Sequence, residues 1–536
     1  MSRFVRASKY RHVFGQSAKK EHGFENVKVT NSAWDTNIVS ASASYLSINW
    51  NSSGGGAFAI LPLPSPFHGL NGFPHKLPDG LPLARGHTAT VLDTDWSPHN
   101  DSIVASGGED GKLMIWKVES STFDGWGQEG WTPQDFDPVS RIDASARKVG
   151  QVLFHPTASN VLASASGDAM VRLWDLANPE DARVTLTGHG DIIQSMAFNS
   201  TGTLLATTCR DRKLRLFDPR AGSEAVRIND GHSGIKGSRV VWMGDLDRIA
   251  TTGFSKMSER QAIIWETGGL TNVKTISLDQ SAGVVMPFWS DNNILFLAGK
   301  GDGNIRYYEY ESDSLFALSE YKSSDPQRGM CFLPRRALNV ADCEIARAYK
   351  VYGSTVEPIA FIVPRKADSF QSDIYPPAPS SDPSLSASEF FNGKQAPANY
   401  VSLGDGSAVS GPFSPSVASP TVLQPTRTFS ASAPSPAAAP FPVAPSASTY
   451  TPIQVSEPTP TTAKTHDFER TDSSFPATPS RSQSISSSET AVKEENSRLN
   501  SELREAREKI RNLELQVESL KANARKAAQA LLSDSS

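Results

Sequence analysis

The segment ASGGEDGKLMIW (residues 105–116) places an acid six residues before the aromatic residue that ends a predicted strand. The segment ASASGDAMVRLW (residues 163–174) repeats the acid and the aromatic at the same offset. Five pairs of this kind follow one another along the chain: Asp110 and Trp116, Asp168 and Trp174, Asp211 and Phe217, Glu259 and Trp265, and Asp302 and Tyr308. The aromatics lie 43 to 58 residues apart, within or slightly above the repeat length of a four-stranded propeller blade.

The repeated acid is explained by a structural role in each blade. We expect it to lie in the turn between the second and third strands and to accept a hydrogen bond from a histidine that enters the blade. The predicted partners are His87 with Asp110, His189 with Asp211 and His232 with Glu259. A charged hydrogen bond of this kind contributes about 1.5–3 kcal/mol. The alternative, a set of catalytic His–Asp dyads, is disfavoured because repeated pairs hold turns together, so we predict no catalytic residue.

Two less regular segments bring the expected number of blades to seven. One blade ends near Trp50, and another is indicated by residues 329–333 and by the strand around residues 358–363. A propeller must also remove its open sheet edge. The sequence therefore predicts an all-β, seven-bladed WD-type β-propeller that an N-terminal strand closes by pairing with the last blade.

The composition divides the chain into four predicted regions. The propeller occupies residues 1–340 and a C-terminal extension packed on it occupies residues 341–376. A Ser/Pro/Ala-rich linker over residues 377–490 is expected to be disordered, because it contains too few large apolar residues to offset its conformational entropy. Candidate phosphorylation sites are Ser2 and six residues that precede proline: Ser414, Ser419, Ser435, Thr451, Thr459 and Thr478.

The last region, residues 491–532, has the heptad pattern of an α-helical coiled coil. Its predicted core contains Leu499, Leu503, Ile510, Leu513, Val517 and Leu520. An amphipathic membrane helix is the alternative, but the apolar stripe is narrow and its flanks carry both charge signs. We therefore expect self-association through this segment.

Charge and cysteine content exclude several classes of function. The net charge of −5 argues against a general nucleic-acid binder. The three cysteines show no CxxC spacing, so we expect neither a zinc site nor a disulfide framework. We expect no cofactor, no transmembrane segment and a cytosolic location. Residues 1–20 contain only basic charges, and they could meet an acidic protein surface or anionic lipid.

Nine segments of the chain resemble the coronin family. They are Ser2–Gly15, Gly54–Phe58, Gly86–Thr88, Trp96–Asp101, Thr252–Gln261, Gly299–Asp302, Cys343–Arg347, Val363–Lys366 and Asp373–Pro377. The order of propeller, variable linker and short coiled coil is also similar, with a long linker of fungal type. This resemblance implies a seven-bladed propeller with an extension packed under its blades. It further implies binding and bundling of filamentous actin (F-actin), modulation of Arp2/3-dependent branching, action together with cofilin in filament turnover, and a place in the cytoplasm, cytoskeleton and cortical actin structures.

The resemblance also implies individual contact residues. Lys28 falls where coronins carry a basic residue linked to filament binding, and the other candidates are Arg6, Lys9, Arg11, Lys19 and Lys20. Arg11 has a structural role as its alternative. The segment Lys509–Glu514 resembles a trimer motif of coronins, although Lys replaces Arg and cannot form the bidentate fork. Ile and Val at the a positions favour two strands, and we expect a trimer over a dimer.

Two other functions compete with actin regulation. A WD-repeat adaptor for a signalling or ubiquitin-ligase complex would use the same propeller as a scaffold. A propeller enzyme is disfavoured, because Gly54, Gly55 and Gly56 lack the Lys-Ser/Thr pair of a phosphate-binding loop.

Overall fold

The computed structural model describes residues 6–63, 74–126, 128, 130–366 and 369–409. Ser2, the six proline-directed sites and the predicted coiled coil lie outside the described residues. Their predictions therefore stay predictions.

The described residues form seven four-stranded antiparallel sheets, which confirms the predicted all-β, seven-bladed propeller. Blades 1 and 2 contain the strands Val39–Ala41, Tyr45–Trp50, Gly56–Pro62 and Leu83–His87, then Val91–Trp96, Ile103–Gly108, Lys112–Lys117 and Pro138–Asp143. Blades 3 and 4 contain Val149–Phe154, Val161–Ser166, Val171–Asp175 and Val184–Leu186, then Ile193–Phe198, Leu205–Cys209, Lys213–Phe217 and Arg227–Asp230. Blades 5 and 6 contain Arg239–Trp242, Arg248–Phe254, Arg260–Glu266 and Thr271–Asp279, then Val285–Ser290, Ile294–Gly299, Ile305–Glu311 and Ser314–Tyr321.

Burial along each strand reflects its position in the blade. Every residue of the second strand of blade 3, Val161–Ser166, is buried, because neighbouring blades cover both faces of the sheet. The outermost strand of blade 5, Thr271–Asp279, is exposed or half-buried throughout. The apolar core is thus distributed between the blades, with the outer strands at the rim.

Blade 7 joins the two ends of the propeller sequence. Its strands are Gly329–Phe332, Glu344–Tyr352, Thr355–Ile362 and, outermost, the N-terminal strand Phe14–Ser17. Phe14 lies opposite Ile362, and Ser17 lies opposite Ile359. The predicted closure by an N-terminal strand is therefore confirmed.

The predicted boundary at residue 340 is wrong. Residues 344–362 form the second and third strands of blade 7, where Tyr349, Ile359 and Phe361 are fully buried. The resemblance implies an extension at residues 341–376. The structure shows instead that the alternating apolar residues of 344–362 complete blade 7.

The extension lies further along the chain and corrects the predicted start of the disordered linker at residue 377. A three-stranded sheet contains Ala378–Pro379, Tyr400–Val401 and Ala408–Val409, and the α-helix Ala387–Phe391 lies between its first two strands. Ser386 and Glu389 form a capping box at the start of this helix. The described residues also contain five short 3-10 helices: Lys20–His22, Ser120–Phe123, Arg335–Ala337, Val340–Asp342 and Ser372–Ile374.

The extension packs on one face of the ring, across the turns between first and second strands. The amide of Leu385 donates to the carbonyl of Thr157 in blade 3 at 3.1 Å. The Tyr400 hydroxyl donates to Asp245 in blade 5 at 3.0 Å. Leu385 and Phe390 are buried in the core of blades 3 and 4. We call this side the extension face, and the side with the turns between second and third strands the open face.

Truncated fragments test both corrected boundaries, the one at residue 340 and the one at residue 377. A fragment of residues 1–340 should not fold, because it lacks the two strands that join the N-terminal strand to the ring. A fragment of residues 1–376 should fold but melt at a lower temperature than 1–409, since it loses the burial of Leu385 and Phe390, about 1.5–3 kcal/mol for each side chain. Thermal unfolding followed by circular dichroism gives the order of stability. Cooperative melting of 1–340, or equal melting of the two longer fragments, contradicts this assignment.

Candidate functional site

The segment that follows the N-terminal strand runs over the seam between blades 7 and 1. Its Val27 amide donates to the carbonyl of Ser354 in the open-face turn of blade 7 at 2.9 Å. The amide of Asn51, in the equivalent turn of blade 1, donates to the carbonyl of Lys28 at 2.7 Å. Two neighbouring blades thus fix the backbone at Lys28, which lies on the open face.

The Lys28 side chain is 45% exposed, and its ammonium lies 3.2 Å from the Asp79 carboxylate, whose side chain is 88% exposed. The bond from Lys28 lowers the pKa of the Asp79 carboxyl. Lys76 is exposed beside this pair, and it forms a backbone bridge with Glu25. Sequence spacing gave no signal for Lys76, because a long insertion in blade 1 brings it to the seam.

Lys19 and Lys20 are exposed just beyond the end of the N-terminal strand. Lys19 lies 3.8 Å from Glu21, and both side chains are more than half exposed. An ion pair at such a distance between exposed groups contributes little to stability. These two lysines belong to the same side of blade 7 as Lys28.

Arg6 and Lys9 lie at the other end of the N-terminal strand, towards the extension face. The Arg6 guanidinium pairs with Glu309 and with Glu311, the latter at 2.6 Å, and lies 4.4 Å from the centre of the Phe316 ring. The Lys9 ammonium donates to the carbonyl of Asp373. The six predicted contact residues therefore do not form one cluster, because the strand carries its two ends to opposite faces.

Arg11 is half-buried between these two groups. Its predicted alternative role as a buried structural partner is not supported by any ion pair in the part of the chain that the structure describes. Its location groups it with Arg6 and Lys9, before the N-terminal strand.

Blade 2 contains the predicted histidine–acid bond within a longer chain of hydrogen bonds. The Nδ1 atom of His87 lies 3.0 Å from the Asp110 carboxylate, and Nε2 lies 2.8 Å from the Ser106 hydroxyl. The Trp116 indole donates to the same hydroxyl at 2.8 Å. Burial alone would raise the pKa of the Asp110 carboxyl. The hydrogen bonds from His87 and from the amides of Thr88 and Lys112 outweigh this effect, so the pKa is lowered.

Sequence reasoning missed the hydroxyl residue in this chain of bonds. The Trp174 indole donates to Ser164 at 2.9 Å and the Trp265 indole donates to Thr251 at 2.7 Å. Ser106 and Ser164 each precede their tryptophan by ten residues, a spacing that could have identified them. These positions are structural and hold the strands of a blade together.

The other two predicted histidine–acid bonds are wrong. His189 and His232 bond through Nε2 to Thr207 and Thr251 at 2.9 and 3.0 Å, and the Nδ1 atom of each is buried without a partner. In blade 4 the Asp211 carboxylate accepts instead from Arg215, four residues later, at 2.6 Å.

The turn of blade 5 explains why Glu259 does not take the expected position. Residues with positive φ directly follow the acid in blades 2, 3 and 4, as Ala169 does after Asp168. In blade 5 the positive φ occurs one residue before the acid, at Ser258. The acid is therefore displaced within the turn, even though the spacing to Trp265 is unchanged. In blade 6 the Asp302 carboxylate accepts from Arg260 at 2.6 Å, and Tyr308 is half-buried.

The centre of the ring is a polar channel with a cavity of about 170 Å³. Asp93 and Asp95 of blade 2 line it and accept hydrogen bonds from the amides of Val152 and Phe154 in blade 3 at 3.1 and 2.8 Å. Burial raises the pKa of both carboxyls to about 7. These bonds join adjacent blades and support a structural role.

A charged network lies beside the channel. The Asp35 carboxylate lies 3.0 Å from Arg239 and 2.8 Å from Lys300. Burial would raise the pKa of Asp35, but the two cations lower it to about 2. Asp35 thus connects the N-terminal segment to blades 5 and 6.

The described residues contain no group of three or more His, Cys, Asp or Glu side chains placed to hold a metal ion. No helix among them is long and apolar enough to cross a membrane. Cys209, Cys331 and Cys343 are free thiols, and all three are buried.

Three family models match the chain. A domain of unknown function, DUF1899, covers residues 3–67, and a type of WD40 repeat covers residues 356–398. The WD domain, G-beta repeat, covers residues 80–117, 136–175 and 181–218. The first two models meet in blade 7, where the N-terminal strand pairs with residues 355–362.

Similar proteins cover most of the chain. The coronin-like protein crn1 of Schizosaccharomyces pombe is 51% identical over 415 residues, 75% of this chain and 65% of that protein. The chain thus spans slightly less than two thirds of this relative. Coronin-A of Dictyostelium discoideum is 43% identical over 410 residues, 76% of this chain and 87% of that protein.

One solved structure is also similar to this chain. The crystal structure of the WD40 domain from Toxoplasma gondii coronin matches with a TM-score of 0.66 and 29% identity, covering 74% of this chain and 98% of that domain. Together with the propeller and its N-terminal closure, these similarities show that the chain belongs to the coronin family.

Proposed function

We propose that this protein is a non-enzymatic regulator of the actin cytoskeleton that acts in the cytoplasm. Its propeller binds F-actin through the open face, and its coiled coil joins several propellers so that filaments are bundled. The same protein modulates Arp2/3-dependent branching and acts with cofilin in filament turnover. Family membership supports the association with actin.

The position of Lys28 carries the proposal for the filament contact. The hydrogen bond from Asn51 to Lys28 and the bond from the neighbouring Val27 to Ser354 fix the backbone at the seam, so the Lys28 ammonium extends from a rigid surface. Its only ion pair among the described residues is with Asp79, and both side chains are well exposed. Such a surface pair is worth at most about 1 kcal/mol. An acidic partner can therefore replace Asp79 at little cost.

The position of the extension supports the open face as the side that binds the filament. It packs over the turns of blades 3 and 5 on the opposite side, and Leu385 and Phe390 are buried in the core of blades 3 and 4. The open face, with Lys19, Lys20, Lys28 and Lys76 at one seam, stays accessible in the described part of the chain. Electrostatic attraction from such a cluster accelerates association with an acidic surface.

Reversing the charge of Lys28 tests the filament contact. The variant Lys28→Glu should bind F-actin at least ten-fold more weakly in co-sedimentation, because a like charge against an acidic surface costs several kcal/mol. Its melting temperature should stay within a few degrees of the wild type, since exposed substitutions change stability by about 0.5 kcal/mol or less.

The matched control is Lys117→Glu. Lys117 is 53% exposed and pairs with Glu119 at 2.5 Å, but it ends the third strand of blade 2 on the extension side. This control should bind filaments normally. Equal binding by both variants, or equal loss in both, places the contact elsewhere.

Substitutions in the predicted coiled-coil core test bundling. The double variant Ile510→Asn and Leu513→Asn should be monomeric by light scattering, because polar residues at these positions destabilise the helix interface. It should still bind filaments, with an affinity lower by up to about 10²–10⁴ because multivalency is lost. It should no longer bundle them in low-speed sedimentation. Undiminished bundling by a verified monomer would show that one propeller contains two actin sites.

A further inference from the structure

Two large apolar side chains on the open face are almost fully accessible to solvent. Ile235 is 85% exposed and Met257 is 84% exposed, more than any other large hydrophobic residue among those the structure describes. Ile235 lies in the loop that leads from blade 4 into blade 5. Met257 lies in the turn between the second and third strands of blade 5. Single exposed apolar residues are common, but these two are on adjacent loops.

The two loops are held together by direct contacts. The Gly234 amide donates to the carbonyl of Phe254 at 2.8 Å. A side chain at Gly234 would put its Cβ atom 2.6 Å from that of Phe254, so only glycine allows this approach. The Lys236 ammonium lies 4.7 Å from the centre of the Phe254 ring. The loop with Ile235 is therefore fixed against the strand that leads to Met257.

The turn with Met257 is itself well ordered by hydrogen bonds. The Met257 amide donates to the Ser255 hydroxyl at 3.2 Å, and the Ser255 amide donates to the Glu259 carbonyl at 2.8 Å. Ser258 has a φ of 63°, which closes the turn and directs the chain back into the blade. A loop whose backbone is fixed before binding loses little conformational entropy in a complex.

Basic residues flank both apolar side chains. Lys236 follows Ile235, and Lys256 precedes Met257. Neither lysine forms an ion pair within the described part of the chain, and Lys256 is exposed. We call these four residues the blade 5 patch. It fits a surface with an apolar recess and an acidic rim.

A protein fits the patch better than a lipid membrane does. The exposed Asp230, at the end of the outermost strand of blade 4, lies five residues before Ile235 and forms an ion pair with Lys213 at 3.1 Å. A flat anionic membrane would meet both charges of this pair, so the pair adds no net attraction to that of the two lysines of the patch. A protein surface can be shaped to avoid it.

We propose that the blade 5 patch is a second contact with the actin filament, on the same face as Lys28. This inference rests on the proposed function. Ile235 and Met257 enter an apolar recess of the filament surface, and Lys236 and Lys256 face acidic residues at its rim. The propeller then contacts the filament at two separate places on the open face, the seam of blades 7 and 1 and the loops of blades 4 and 5.

The full-length double variant Ile235→Ser and Met257→Ser tests this contact in F-actin co-sedimentation. Its affinity should fall at least ten-fold, because central apolar residues contribute most to binding at protein interfaces. The matched control is Val139→Ser with Ile228→Ser, which removes two side chains that are 63% and 53% exposed on the outermost strands of blades 2 and 4. The control should bind as the wild type does, and all proteins should melt at similar temperatures.

The outcomes separate this inference from the proposed function. If Lys28→Glu weakens binding but the blade 5 variant binds normally, the second contact is wrong and the filament function stands. If the wild type does not bind filaments, the proposed function fails, and the second contact fails with it. Flotation with phosphatidylserine vesicles adds a third arm. Vesicle binding that depends on Ile235 and Met257, together with unchanged filament binding, would identify a membrane contact and overturn the inference.

Discussion

The pairing of Phe14–Ser17 with Thr355–Ile362 is the constraint on which the rest of the structure depends. Each blade is covered by a neighbour on both faces, and the last blade has its full four strands only while the N-terminal strand is joined to it. The strands come from opposite ends of the propeller sequence, and closing so long a loop costs about 5 kcal/mol beyond a constant contribution. Burial of Tyr10, Val13 and Phe361 in one core offsets this cost. The Tyr307 hydroxyl adds a hydrogen bond to the Val13 carbonyl at 2.9 Å.

Closure also determines where the functional surfaces lie. The N-terminal strand crosses the outside of blade 7 and separates Arg6 and Lys9 from Lys19 and Lys28. In the first group Arg6 pairs with two glutamates and Lys9 donates to a backbone carbonyl, whereas the second group extends from the open face. The extension covers the turns of the other face. In the part of the chain that the structure describes, the open face is therefore accessible to a large partner.

Much of the fold was predictable because its signals are local. The acid, the turn and the aromatic lie within one hairpin, so their spacing predicts a blade directly. The histidine–acid bonds were less predictable, since they depend on competing side chains. Blades 3 and 4 have an arginine four residues after the acid, Arg172 and Arg215, which binds the carboxylate, whereas blade 2 has Met114 at that position. The extension was predicted at residues 341–376, too early in the chain, because Leu385 and Phe390 are isolated in a segment whose overall composition is typical of disorder. The predicted basic residues are close in sequence but not in space. The N-terminal strand lies between Arg6 and Lys9 at one end and Lys19, Lys20 and Lys28 at the other.

If the open face binds the filament, the extension face points away from it. A cryo-electron microscopy reconstruction of the full-length protein on F-actin would show which face contacts actin. We expect density for the Lys28 seam and for the Met257 turn to contact actin, and the helix Ala387–Phe391 to face solvent. A reconstruction in which that helix or the surrounding extension contacts actin, with Lys28 on the solvent side, would contradict this expectation.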